Sequence, residues 1–163
     1  MEPLQLRARG ERGAIYYFVR PNGRISAKAY LDQLQENIRN KFKGSFSMFI
    51  EKGPAYEKLE RFKSLHSDGK PLWEFKEHGS SPRIYAVREV FSLGEGTAKV
   101  QIAVAVLLDG WTKEKQGKGK EEPIKIGAAK SLYYEYLQLG GREHNGKLES
   151  MGTVAERAYR SRR

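Results

Sequence analysis

Between Leu72 and Leu108 apolar and polar positions alternate at a period of two, the spacing of a strand with one face in a core. Three runs carry the pattern: Leu72 to Glu77, Arg83 to Leu93 and Thr97 to Leu108. In the first, Trp73 and Phe75 face one way and Glu74 and Lys76 the other; in the second, Tyr85, Val87 and Phe91 share a face and Ile84, Ala86, Arg88 and Val90 the opposite one. The third is dense in Val and Ile. The joints, Gly79-Ser80-Ser81-Pro82 and Gly94-Glu95-Gly96, have turn composition, so the three runs predict an antiparallel meander. Ala14 to Arg20 is a further strand, halted by Pro21-Asn22-Gly23 and expected to join the same sheet.

Elsewhere the period is helical. Tyr30, Leu31, Leu34, Ile38 and Phe42 recur on one face after Ser26, a candidate N-cap, and Gly44 is expected to end that helix. Ser45 opens a second, with Phe46, Phe49 and Ile50 buried before Gly53-Pro54; Tyr56, Leu59 and Phe62 predict another helical turn. Glu121-Glu122-Pro123 reads as a helix first turn, with a stripe of Ile124, Ala128, Leu132, Tyr136 and Leu139 and a stop at Gly140-Gly141. Trp111 to Lys120 is expected to be a loop, Met1 to Gly13 a loosely ordered arm, and Leu148 to Tyr159 an optional short helix.

The resulting expectation is an α+β domain over residues 1–140, arm 1–13 included, with a basic tail at 141–163. Its twisted antiparallel sheet carries a helix hairpin, Tyr30–Phe42 and Phe46–Ile50, on one face, and a C-terminal helix follows. The expected core holds Leu34, Ile38, Phe49, Trp73, Phe75, Tyr85, Val87, Ile102 and Val104.

Charge narrows the class of partner. Thirty Lys and Arg against 20 Asp and Glu give a formal net charge of +10 over 163 residues, which favours a polyanion: RNA, DNA, a ribosome or an acidic protein. There is no cysteine, hence no disulfide and no cysteine-ligated metal, and none of the three histidines has a partner at metal-site spacing. No apolar run approaches a membrane span, and the first residues lack the apolar stretch of a signal peptide, so a cytoplasmic protein without membrane or cofactor is expected.

Taken in order, LWEFK, IYAVREVF, LLDGWTK and the acid-acid-Pro helix opening resemble the phage-derived, HigB-like branch of the RelE/ParE superfamily of toxin–antitoxin toxins, over roughly Ile25 to Leu137. The branch typically has Arg where this chain has Lys76, Arg where it has Ala86, and His where it has Asp109, and its lysine loop is shorter. The resemblance implies a RelE-like fold and a toxin that cuts mRNA on the ribosome without a metal, masked by a cognate antitoxin, typically a helix-turn-helix protein. It also admits a ParE-like gyrase-binding toxin, or a degenerate phage-derived member that binds RNA or protein without catalysis.

RNA cleavage by its own 2′-OH needs a base, an acid and stabilisation of phosphorane charge, for which cations suffice. Lys76, Arg83 and Arg88 are the cations expected around the scissile phosphate, each read as an exposed strand charge. Lys113, Lys115, Lys118 and Lys120 are expected to dock on RNA backbone together with His78, His66 and His78 to be open to proton transfer, Glu74 to be a candidate base and Tyr85 a candidate base-stacking ring. Each has a plainer reading as solvated charge or packing.

Overall fold

The computed structural model describes residues 3–57, 61–65, 72–77, 81–113, 121–142 and 151–161. Six strands, β1 (Leu4–Arg9), β2 (Gly13–Phe18), β3 (Phe62–Ser64), β4 (Leu72–Lys76), β5 (Pro82–Leu93) and β6 (Val100–Thr112), form one sheet in the order β1-β2-β6-β5-β4-β3. Among the described residues four α-helices accompany them: α1 (Ser26–Gln33), α2 (Glu36–Lys52), α3 (Glu121–Arg142) and α4 (Met151–Ser161). The class is α+β.

Both faces of the sheet are covered, and the central strand shows it. Ile102 to Leu108 of β6 are buried without interruption. Ile102, Val104, Val106 and Leu108 pack with Ala129, Leu132 and Tyr136 of α3 and Ala155 and Tyr159 of α4. Ala103, Ala105 and Leu107 face the other way, towards Tyr30 and Leu31 of α1 and Phe42, Phe46 and Phe49 of α2. The alanines on that side leave room for three phenyl rings. A strand covered on both faces reads as a continuous apolar run.

The β4–β5–β6 meander is antiparallel as its turns predict. The sheet as a whole is mixed, not antiparallel, because β2 runs parallel to β6, pairing Gly13 with Ala103 through Tyr17 with Leu107. Parallel neighbours need a long crossover, which everything between β2 and β6 supplies. The expected loose arm is instead an edge strand: β1 pairs with β2, and Leu4 and Leu6 join the core under α3 and α4. Its Leu-Gln-Leu alternation is too short to stand out among charges.

Helix boundaries also move. The chain breaks at Leu34 and Gln35, both extended (ψ 153° and 147°), and α2 then runs through Gly44 to Lys52. A Cβ at Gly44 would meet nothing within 4 Å, so this glycine sits on the open side of α2 at the modest cost of about 1 kcal/mol expected for a helical Gly. The stop falls at Gly53, whose φ of 61° and close approach to the Arg12 carbonyl admit no side chain. Beyond it come a 3-10 turn (Gly53–Ala55) and strand β3, so Phe62 lies on a strand where a helical turn was expected, and Leu59 lies outside the described residues.

β6 continues through Trp111 and Thr112, where a loop was expected, and α3 passes its predicted Gly140-Gly141 stop. On α3, Leu132 and Tyr136 are buried as predicted, whereas Ile124 is exposed and Ala129 takes the buried place expected of Ala128. The predicted tail includes α4, whose Ala155 and Tyr159 lie in the core. Of the expected core, Phe49, Phe75, Tyr85, Val87, Ile102 and Val104 are buried. Leu34, Ile38 and Trp73 are half-buried at its rim. Among the described residues, no helix is long and apolar enough to cross a membrane.

Candidate nucleic-acid site

The strand register brings charge to one end of the sheet. Lys76 stands opposite Arg83 and Glu74 opposite Tyr85 across β4 and β5, while Lys63 of β3 stands opposite Glu74 on the other side. All occupy the face that carries Leu72, Tyr85 and Val87, the side covered by α3. Glu122, from the first turn of α3, enters the same space.

Arg83 is the hub. Its Nη1 donates to Glu74 Oε1 and to Glu122 Oε1, each at 3.2 Å. Lys113 Nζ donates to the other Glu122 oxygen, Oε2, at 3.1 Å, and Lys63 Nζ lies 4.0 Å from Glu74 Oε2. The backbone sets Lys113 in place, since its N–H donates to the Ser81 carbonyl at 3.0 Å beside the start of β5. Three cations (Lys63, Arg83 and Lys113) thus meet two carboxylates, with Lys76 opposite Arg83 on the neighbouring strand, an excess of positive charge that fits an incoming phosphate.

Glu74 is fully buried. Burial raises its carboxyl pKa above the ordinary glutamate range, opposed first by Arg83 and then by Lys63. Glu74 Oε2 and Arg83 Nε are both buried without a hydrogen-bond partner among the described residues. A buried carboxyl held towards its neutral form next to cations is the kind of group that moves protons. Beneath it, Trp111 Nε1 donates to the Tyr85 hydroxyl at 2.8 Å, so Tyr85 is a core residue and not a stacking platform.

Arg88 lies elsewhere. It points to the α1–α2 side with Ile84 and Ala86, where its Nη2 donates to the Pro54 carbonyl at 3.0 Å and its guanidinium sits 4.6 Å from the centre of the Trp73 ring. Burial lowers its pKa. The structure therefore gathers Lys76, Arg83 and Lys113 and leaves Arg88 on the opposite face. Nor are Arg83 and Arg88 exposed strand charges: the first is 9% exposed and the second is packed on Trp73. Ala86, where the resembling branch has Arg, is fully buried against the helix hairpin. His66, His78, Lys115, Lys118 and Lys120 lie outside the described residues.

Glu122 is the participant that sequence reasoning missed as a site residue. It reads as an ordinary first-turn acid, and only the approach of α3 to β5 reveals its second role. Among the described residues, no group of three or more His, Cys, Asp or Glu is placed to hold a metal. No protein-family model matches the chain, and no curated protein matches it.

Proposed function

We propose that this protein acts on RNA as the toxin of a toxin–antitoxin pair, a metal-independent endoribonuclease directed at mRNA on the ribosome and masked by an antitoxin. One observation supports the reading above the others: Arg83 and Lys63 flank a buried carboxyl, Glu74, of raised pKa, and Glu122 joins Arg83 to Lys113, with Lys76 opposite Arg83 on β4. These are the parts that transesterification by the RNA 2′-OH requires, namely cations for the phosphorane and a group able to take and return a proton.

Glu122 explains how such a site is kept when empty. Its carboxylate bridges Arg83 and Lys113 as a phosphate would, and at 26% side-chain exposure it is the accessible member of the pair of acids. A phosphodiester entering the site takes the place of Glu122 on both cations, and Glu74 stays beneath.

A binding-only reading has its own support, because Glu74 has no solvent exposure and Arg83 is engaged by two carboxylates. Inducing the protein in a bacterial host without antitoxin separates the two. Cleavage with 2′,3′-cyclic phosphate ends supports the enzyme; RNA retention without cleaved ends supports binding alone.

A further inference from the structure

The parallel pair creates a second concave site, remote in role from the cation cluster. β2 pairs with β6 only as far as Tyr17 and Leu107, so β6 continues from Leu108 to Thr112 beyond the last β2 pairing. The chain leaves β2 and forms α1 on one face of the sheet; it leaves β6 and forms α3 on the other. A crevice outside the carboxyl ends of adjacent parallel strands, where successive helices go to opposite faces, is where α/β sheets bind ligands.

In this protein that crevice is an open cleft of about 650 Å³ between α1 and α3. The volume is within the range of small-molecule sites, roughly 300–1,000 Å³. Its charged lining is Arg20, Arg24, Lys125, Asp109 and Glu135. Arg20 is already committed, forming a two-bonded pair with Glu135 at 3.1 and 3.2 Å that ties the β2–α1 connection to α3. No contact of that kind engages the side chains of Arg24 or Lys125 among the described residues, and both are exposed. Ser26, the first residue of α1, also lines the cleft, and no side chain caps that helix start. Asp109 accepts the Gly110 N–H through Oδ1 at 2.9 Å and presents the rest of its carboxyl to the cleft.

We propose that this cleft binds a phosphorylated ribose, with Arg24, Lys125 and the α1 start holding the phosphate and Asp109 accepting a hydrogen bond from a ribose hydroxyl. Two free cations at an uncapped helix start suit a phosphate. With Glu135 taken up by Arg20, the Asp109 carboxylate in the same cleft would weaken a bare phosphate, and is explained by a hydroxyl donor attached to it. The proposal does not depend on RNA cleavage at the cation cluster.

Calorimetry on the full chain tests it, with adenosine 5′-monophosphate, its 2′,3′-dideoxy counterpart and a 5′-phosphorylated RNA oligomer as probes. Arg24→Gln and Lys125→Gln are each expected to weaken binding about tenfold, as loss of a charge-assisted hydrogen bond does. Asp109→Asn is expected to reduce the preference for the ribonucleotide over the dideoxy compound. Binding of the mononucleotide assigns the site to free nucleotide, and binding of the oligomer alone assigns it to an RNA end. Circular dichroism confirms folding of each variant. Binding of none of the three probes at millimolar concentration, or binding that is indifferent to Arg24 and Lys125, overturns the proposal, whether or not the protein cuts RNA.

Discussion

Arg83 and Glu74 meet 3.2 Å apart inside the α3 side of the sheet, with Glu74 wholly removed from solvent. An ion pair in that position is costly to break from one side, because the remaining charge has no water to turn to. Arg83→Ala should therefore destabilise the fold by about 3–5 kcal/mol. Replacing the neighbouring Lys76, which is only half-buried, should leave stability nearly unchanged. Urea unfolding of the two variants checks this; equal stabilities would mean that Arg83 is not the hub.

Because Arg83 holds the fold together, loss of activity in Arg83→Ala is ambiguous, and Glu122 offers a cleaner handle. If Glu122 occupies the place of a phosphate on Arg83 and Lys113, Glu122→Gln should tighten RNA binding several-fold. Lys76→Ala with Lys113→Ala should weaken it and lower the log–log salt slope by about one to two units, as expected when phosphate contacts are removed. Filter binding across a salt series measures both. A Glu122→Gln affinity equal to wild type would remove the displacement argument.

Tyr85 and Trp111 give a test of packing. The Tyr85 hydroxyl is the partner of Trp111 Nε1 at 2.8 Å in the core under α3. Tyr85→Phe strands a buried indole N–H and should cost about 1–3 kcal/mol. If Tyr85 were instead a base-stacking ring, the same change would alter RNA affinity and leave the thermal midpoint where it was.

The carboxyl of Asp109 predicts a pH effect. Burial raises its pKa above the ordinary aspartate range, outweighing the Gly110 N–H, Lys125, Arg24 and Arg20. The folded state then holds the proton more tightly than the unfolded chain, so stability falls as pH rises from the ordinary aspartate range through the folded pKa. Asp109→Asn should flatten that decline. Denaturant midpoints measured across the acid range would show it, and an unchanged profile would contradict the shift.

The meander was legible from the period-two runs and the turn residues between them, although β4 and β5 bury charge beside apolar residues, Glu74 with Leu72 and Arg83 with Tyr85. β2 and β1 were harder. Gly13 to Phe18 is buried throughout and has no alternation to read, and a run of that kind says nothing about the direction of its neighbour. The helix hairpin was visible from its phenylalanines, but Gly44 misplaced the joint, since a glycine on the solvent side of a helix costs too little to end it. In the site, the sequence supplied Lys76, Arg83, Lys113 and Glu74 and missed Glu122, which joins Arg83 to Lys113. Arg88 was assigned to the phosphate although its parity on β5 already set it opposite Arg83; the Pro54 carbonyl that engages it lies in a segment whose strand-and-turn structure the apolar spacing concealed.

The central claim is that the cluster around Arg83 serves RNA chemistry. The most direct measurement is to present purified protein with ribosomes programmed with a defined mRNA and to map the new ends, alongside an mRNA carrying 2′-deoxy sugars at the cut positions. The account predicts 2′,3′-cyclic phosphate and 5′-hydroxyl ends, lost on 2′-deoxy substitution and reduced by about 10²-fold or more in Lys113→Ala with Lys76→Ala if those cations stabilise the transition state. Intact mRNA with the wild-type protein, or cleavage that is indifferent to the 2′-hydroxyl, would contradict it.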